Sequence, residues 1–256
     1  MNIDAVVCIL IPFFGTALGS GLVLFMKGGF NFFTEDFLSA VAGGIMTAAS
    51  VWSLIIPAID NSAHMGAFAF LPCCIGMVAG CGFMIISGRV TDHILASSSG
   101  EMARYNNINT LLAVTIHNVP EGMAVGCVLA MALESENESL MVSALALALG
   151  IAVQNIPEGA VISLPVYGVG NPKLRAFFIG TASGAVEPLG AVTALLMARV
   201  VGVLLPYFLS FAAGTMLFAV TQELIPGIKY KGRFPLAGVG FVAGFMIMMI
   251  LDVALG

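Results

Sequence analysis

The sequence predicts an all-α integral membrane protein with eight transmembrane helices. Hydrophobic residues make up 59% of the 256-residue chain, charged residues only 9%, and the mean hydropathy is +1.05. The apolar residues fall into segments close to the roughly 20 residues that a helix needs to cross a bilayer core about 30 Å thick. This composition excludes a soluble domain. We therefore expect residues 1–256 to form one polytopic domain that contacts lipid and has no nucleic-acid partner.

Eight apolar runs give the expected spans in chain order. They cover residues 5–26, 37–57, 67–88, 108–133, 139–166, 174–197, 201–224 and 234–255. Glycine and other small residues recur along them, which suits close helix packing in lipid. The connections are short, and the longest, from Arg89 to Asn107, is predicted to be a flexible loop.

Basic residues set the expected orientation of the chain. Eight of the nine belong to the odd-numbered connections or the span ends beside them: Lys27, Arg89, Arg104, Lys173, Arg175, Lys229, Lys231 and Arg233. Only Arg199 belongs to the other side. Because cytoplasmic loops carry the excess of lysine and arginine, we expect both termini to be extracytoplasmic. The expected location is the plasma membrane or, in a bacterium, the inner membrane.

A hexapeptide occurs twice inside apolar sequence. Residues 117–122 read H-N-V-P-E-G and residues 154–159 read Q-N-I-P-E-G. On a helix, positions i, i+1 and i+4 lie on one side, so each copy directs three donor side chains toward one place. The proline cannot donate its backbone hydrogen bond and disturbs the turn before it, which predicts a kink beside the donors.

A fainter repeat relates the second and seventh spans. Residues 37–43 and 208–214 share F-L-S-x-x-A-G, and each copy leads to a proline, Pro57 or Pro226. Spans 2 and 7 run in opposite directions, as do spans 4 and 5. We therefore predict an inverted 3+2+3 repeat, an arrangement of transporters that bind their substrate at the repeat interface.

Buried acids point to a cation site. Four glutamates lie well inside spans, and each costs about 2.5–3.5 kcal/mol at the bilayer centre on insertion scales. No lysine or arginine lies deep within a span to neutralise them, since the basic residues sit at span ends or between spans. The missing charge must come from protons or from a cation that arrives and leaves. Glu187, followed by Pro188, adds a third helix to the two hexapeptides.

The predicted donor set is rich in oxygen. It comprises His117, Asn118, Glu121, Gln154, Asn155, Glu158 and Glu187. These donors suffice for two adjacent ions, with a glutamate bridging them. One imidazole with several oxygens and no thiolate suits zinc first, with cadmium, iron, manganese and cobalt as alternatives, and argues against copper(I). We expect the metal to be cargo and expect no prosthetic group.

Further polar residues give weaker candidates for a transport pathway. Met46, Ser53 and Asp60 follow one another at seven-residue spacing in span 2, as a core stripe or as an access path from outside. Gln222 and Glu223 lie in span 7, where Glu223 is either an accessory pathway group or a packed, protonated acid. The sequence leaves these alternatives open.

The paired H-N-x-P-E-G and Q-N-x-P-E-G motifs, S-G-x-x-E-P in the next span and eight spans overall resemble the ZIP (Zrt/Irt-like) divalent-metal transporters. The glutamine of the second copy is similar to the prokaryotic GufA-like branch, whereas many relatives have a histidine at the position of Gln154 and some an aspartate at that of Asn155. The resemblance covers essentially the whole chain.

The resemblance implies a binuclear site. One metal position would use His117, Glu121, Gln154 and Glu158, and the other Asn118, Asn155, Glu158 and Glu187. It also implies uptake from outside into the cytoplasm, homodimer formation as in many relatives, and an elevator-like sliding of spans 1, 4, 5 and 6 against the rest.

Three functions remain open from the sequence. The leading hypothesis is a carrier that takes up a divalent transition metal. The alternatives are a metal-gated channel or proton-coupled carrier of another solute, and an intramembrane zinc hydrolase. A hydrolase needs a resident zinc with three strong ligands and an open water position. With one histidine inside a span and no H-E-x-x-H, we expect the protein not to be an enzyme.

Overall fold

The computed structural model describes residues 3–26, 32–96, 102–135, 138–228 and 234–255, and every secondary-structure element in these ranges is helical. The α-helices are α1 (Ile3–Phe25), α2 (Phe32–Ala49), α3 (Ile56–Asn61), α4 (Phe70–Ala96), α5 (Met102–Ser135), α6 (Glu138–Gly168), α7 (Lys173–Gly184), α8 (Val186–Leu196), α9 (Ala198–Ala219), α10 (Ile225–Gly227) and α11 (Phe234–Leu255). The described residues also contain a 3-10 segment, Ala63–Phe68, and two π-helical segments, Ser50–Ile55 and Val220–Leu224.

Seven of the described helical segments are long and apolar enough to cross a membrane. They are Ile3–Phe25, Asp36–Asn61, Phe70–Val90, Leu140–Gly168, Lys173–Leu196, Leu204–Gln222 and Pro235–Ala254. This confirms a multi-pass helical membrane protein. The fourth predicted span falls on α5, whose described apolar stretch, Asn118–Leu133, is shorter. The count of eight therefore stays a prediction.

The predicted loop from Arg89 to Asn107 is wrong in extent. Helix α4 continues to Ala96 and α5 begins at Met102, so Asp92 and His93 are helical; residues 97–101 lie outside the described part. Hydropathy marks where a chain leaves lipid, whereas a helix can continue into water with polar residues. The loop prediction wrongly took the end of the apolar run as the end of the helix.

The two spans of the fainter repeat share an interruption. In span 2 the π-helical segment Ser50–Ile55 ends two residues before Pro57, and in span 7 Val220–Leu224 ends two residues before Pro226. Proline removes a backbone donor and crowds the preceding turn, and a widened π turn accommodates this change. The local structure thus matches in the two segments that the sequence paired.

Glycines bring particular helices into backbone contact. A Cβ on Gly19 of α1 would lie 1.9 Å from the Ile156 carbonyl oxygen of α6, and one on Gly126 of α5 would lie 2.3 Å from that of Ala191 on α8. Elsewhere, one on Gly44 of α2 would lie 1.9 Å from the carbonyl oxygen of Phe241 on α11. Small residues permit such close approach of helices in lipid.

The close contacts join the helices in four pairs. Among the described glycines, every one whose added Cβ would approach another helix's backbone within 3.0 Å joins α1 to α6, α5 to α8, α2 to α11 or α4 to α9. Between two of these pairs, Gly150 of α6 meets only the side-chain end of Met248 on α11. Backbone contact therefore fixes each pair, whereas a flexible side chain fills the space between α6 and α11 at Gly150.

Candidate metal centre

Six predicted donors come together in the protein interior. The exposed fraction is 0% for Asn118, Glu121, Gln154, Asn155 and Glu187 and 3% for Glu158. They project from α5, α6 and α8, the helices that contain the two hexapeptides and Glu187. The seventh, His117, lies on α5 next to Asn118, and its side chain is outside the described part of the structure.

The hexapeptide prolines do not end their helices. Helix α5 continues through Pro120, and α6 continues through Pro157. The glycine that closes each copy explains the final letter of the motif. A Cβ on Gly122 would lie 2.1 Å from the carbonyl oxygen of Glu187, and one on Gly159 would lie 2.2 Å from that of Thr16. Each glycine therefore seats a neighbouring helix directly beside a glutamate.

Span 6 is divided at the site. Helix α7 ends at Gly184 and α8 begins at Val186, so Glu187 lies in the first turn of α8. The break is local, because Ala185 keeps helical dihedral angles and its N–H donates to the Ala182 carbonyl at 3.2 Å.

One hydrogen bond joins the two hexapeptides. Gln154 donates from Nε2 to Glu121 Oε1 at 2.8 Å. This bond fixes which way the amide points, because its nitrogen is held by the carboxylate. The oxygen, Gln154 Oε1, is buried and has no hydrogen-bond partner.

A second set of hydrogen bonds surrounds Glu187. Its Oε1 accepts from Thr16 Oγ1 at 3.0 Å and from Asn118 Nδ2 at 3.2 Å, and Asn118 Nδ2 also donates to the Ser183 carbonyl at 3.4 Å. Asn155 Nδ2 donates to the Pro12 carbonyl at 3.3 Å. The nitrogens of all three site amides are thus used within the protein.

The oxygens that remain fit a cation. Asn118 Oδ1, Gln154 Oε1, Asn155 Oδ1 and Glu187 Oε2 are all buried without a hydrogen-bond partner. Orphaned buried acceptors are costly unless something satisfies them. Within the described residues, no three His, Cys, Asp or Glu side chains are close enough to hold one ion by themselves. Among the described side chains, the amide oxygens are therefore candidate ligands beside the carboxylates.

A cavity of about 480 Å³ opens beyond the donors. It is lined by residues that include Ser53, Asp60 and Asp252, and Ser53 Oγ donates to Asp252 Oδ1 at 2.6 Å. Val128 and Leu147 also line it, each seven residues along its helix from Glu121 or Gln154. Seven residues of helix correspond to about 10 Å, so two turns separate the cavity from the donors.

The pathway candidates have mixed placements. Ser53 and Asp60 line the cavity, whereas Met46 is 1% exposed within the apolar core and does not line it. The π-helical segment between Met46 and Asp60 alters the angular spacing that the sequence argument assumed. Gln222 is exposed in the second π-helical segment, and the side chain of Glu223 is outside the described part.

Sequence reasoning missed the contribution of α1. The Thr16 hydroxyl and the Pro12 carbonyl touch the donor set, although neither residue belongs to a recognisable ligand motif. The available signal was the pair Gly15 and Gly19, four residues apart around Thr16, which predicts close helix contact but no particular partner. Asp252 was missed as a neighbour of Ser53 because the two lie 199 positions apart.

Fold and site together define a multi-pass helical membrane protein with carboxylate and amide oxygens gathered in its core. The profile of the ZIP zinc transporter family matches residues 91–252. The chain is 31% identical to zinc transporter ZIP11 of Homo sapiens over 94% of each chain. It is 34% identical to zinc transporter ZIPB of Bordetella bronchiseptica over 95% of this chain and 79% of the relative, and 36% identical to zinc transporter GufA of Myxococcus xanthus over 80% and 81%.

The chain belongs to the ZIP zinc transporter family. The resemblance inferred from the paired hexapeptides is thereby confirmed, as is the expectation of a transporter and not an enzyme.

Proposed function

We propose that the protein carries a divalent transition metal, zinc first, from outside into the cytoplasm across the plasma or inner membrane. The observation that carries this proposal is a set of buried side-chain oxygens without hydrogen-bond partners in Asn118, Gln154, Asn155 and Glu187. In each of these side chains the other polar atom, an amide nitrogen or the second carboxylate oxygen, is already hydrogen-bonded within the protein. Family membership supports zinc as the cargo, since the relatives are named zinc transporters. Cadmium, iron, manganese and cobalt are further candidates on ligand chemistry.

We further propose two metal positions that share Glu158. His117, Glu121, Gln154 and Glu158 form the first position, and Asn118, Asn155, Glu158 and Glu187 form the second. The hydrogen bonds support this division, because Gln154 bonds with Glu121 whereas Asn118 bonds with Glu187. The first set draws on α5 and α6, and the second adds α8.

The transport motion that we propose is a displacement of one helix group against the other. Group one comprises α1, α5, α6, α7 and α8 and holds all the donors; group two comprises α2, α4, α9 and α11. Backbone-to-backbone glycine contacts support movement of α1 with α6 and of α5 with α8 in the first group, and of α2 with α11 and of α4 with α9 in the second. The topology, with eight spans, an inverted 3+2+3 repeat and both termini outside, also belongs to this proposal, as does homodimer formation.

The proposed pathway leads from the cavity to the donors and leaves past Gln222 and Glu223. On the outer side Ser53 and Asp60 line the cavity, with Met46 deeper in the core. Asp60 is exposed, so its charge would act on approaching cations through solvent.

Replacing Asp60 by asparagine is expected to raise the KM for zinc uptake by about two- to tenfold and leave the rate at saturation unchanged, because a rim charge acts mainly on encounter. The difference should shrink at high salt, which screens exposed charges. Asp4→Asn is the matched control, since Asp4 is exposed and does not line the cavity. Equal KM values for Asp60→Asn and wild type would remove Asp60 from the pathway.

The proposed function is tested by metal uptake into liposomes that contain the purified protein. Zinc, cadmium, iron and manganese are offered in turn, with protein-free liposomes and liposomes containing Glu158→Gln as references. Saturable accumulation by the wild type alone supports a carrier, and the order of rates gives its selectivity. Current without saturation indicates a channel, and no accumulation of any of these metals overturns the proposal.

A further inference from the structure

We infer that Thr16 is a positioning residue for the metal site: its hydroxyl holds Glu187 so that Oε2 faces the second metal position. This inference rests on the proposed function, and it adds α1 to a site otherwise built from α5, α6 and α8. Thr16 is fully buried and donates from Oγ1 to Glu187 Oε1 at 3.0 Å.

The two carboxylate oxygens of Glu187 have different environments, and this difference is the first argument for the role of Thr16. Oε1 accepts from both Thr16 and Asn118, whereas Oε2 is buried without a hydrogen-bond partner. A carboxylate fixed at one oxygen presents the other in a defined direction. Hydrogen-bonded supports of this kind orient metal ligands and raise their affinity.

The packing around Thr16 is the second argument for its role. A Cβ on Gly184 would lie 2.7 Å from Thr16 Cβ and 2.8 Å from its Oγ1, so the threonine fills the space at the end of α7. Glu187 follows three residues later in the first turn of α8. Thr16 therefore contacts both sides of the break in span 6.

A second contact from the same helix face points to the same metal position. Pro12 lies one turn before Thr16, and its carbonyl accepts from Asn155 Nδ2 at 3.3 Å, which leaves Asn155 Oδ1 as the orphaned oxygen. Asn155 and Glu187 are both assigned to the second position. The Gln154–Glu121 bond of the first position instead joins α6 to α5. Helix α1 thus supports one position of the two.

The test is zinc binding by the purified full-length protein, measured by calorimetry and, with cadmium as the probe, by NMR. In Thr16→Val, which keeps the shape and removes the hydroxyl, one ion is expected to bind about 10- to 100-fold more weakly, the typical effect of losing a ligand's support. The other ion should keep its affinity. One cadmium resonance should shift and the other should stay. Thr16→Ser should restore wild-type binding.

The matched control is Ser20→Ala, one turn further along α1. Ser20 is as deeply buried as Thr16, but its hydroxyl donates to the Gly159 carbonyl at 3.3 Å and not to a donor side chain. It should leave both affinities unchanged. Thr16→Ala, which adds no volume, gives the same test if the valine variant does not fold.

Unchanged binding of both ions by Thr16→Val or Thr16→Ala would overturn the inference. Equal weakening by Ser20→Ala, or failure of Thr16→Ser to restore binding, would overturn it as well. If the wild type binds no zinc, the proposed metal site fails first, and that result is visible before any Thr16 variant is compared.

Discussion

Liposomes that contain Glu158→Gln are expected to take up zinc at least about 100-fold more slowly than liposomes with the wild-type protein. Glu158 is assigned to both metal positions, so its loss removes a charged ligand from each. Changes to residues that only support a metal ligand already cost about 10- to 100-fold in affinity. Loss of a shared carboxylate should exceed that range.

Folding gives an independent check on the same variant. Glutamine has nearly the shape of glutamate, and it removes an acid whose insertion at mid-membrane costs about 2.5–3.5 kcal/mol. The melting temperature of Glu158→Gln in detergent should therefore equal or exceed that of the wild type. Normal uptake by this variant would show that the P-E-G motif serves packing alone, and it would remove the central claim about the site.

Gly122→Ala is expected to lower the melting temperature and to weaken zinc binding together. The added Cβ would lie 2.1 Å from the carbonyl oxygen of Glu187 and 2.7 Å from its Cα, and both atoms are backbone that cannot rotate away. Helix α8 must therefore move off α5, which costs about 1–3 kcal/mol in a packed core. The same movement separates Glu121 from Glu187, so affinity falls as well.

Gly82→Ala on α4 is the control, because nothing lies within 4 Å of the position of its Cβ. It should leave zinc binding unchanged and should not lower the melting temperature, since alanine favours a helix over glycine by about 0.8–1.0 kcal/mol. Gly159→Ala should behave like Gly122→Ala, with α1 displaced in place of α8. If Gly122→Ala and Gly82→Ala prove indistinguishable, the close contact between α5 and α8 does not determine the site.

Local geometry explains what could be predicted from the sequence. Asn118 and Glu121, like Asn155 and Glu158, share a helix face because of their spacing, and all four side chains are buried as that spacing predicts. The presence of several long apolar helices was also predictable, because lipid requires long apolar runs. The final glycine of each hexapeptide carried a further signal, since glycine beside a buried ligand indicates close approach by another helix.

Contacts between distant parts of the chain explain what was missed. Thr16 and Glu187 are 171 positions apart, and nothing in the local sequence around either residue indicates that they are hydrogen-bonded to each other. The sequence analysis placed α7 and α8 in one continuous span, whereas the structure divides it at Ala185. The π-helical turns before Pro57 and Pro226 shift the faces that a regular helix would present.

The amides of the site have an electrical consequence. Three buried carboxylates belong to the proposed metal positions, and Asn118, Gln154 and Asn155 add oxygens without adding charge. With all three carboxylates ionised and the histidine neutral, one bound divalent ion leaves the loaded site with a net charge of −1, whereas two leave it at +1. Moving one unit of charge through a membrane potential of 100 mV changes the free energy by about 2.3 kcal/mol. The number of ions carried would therefore set the direction in which membrane voltage drives the loaded helices.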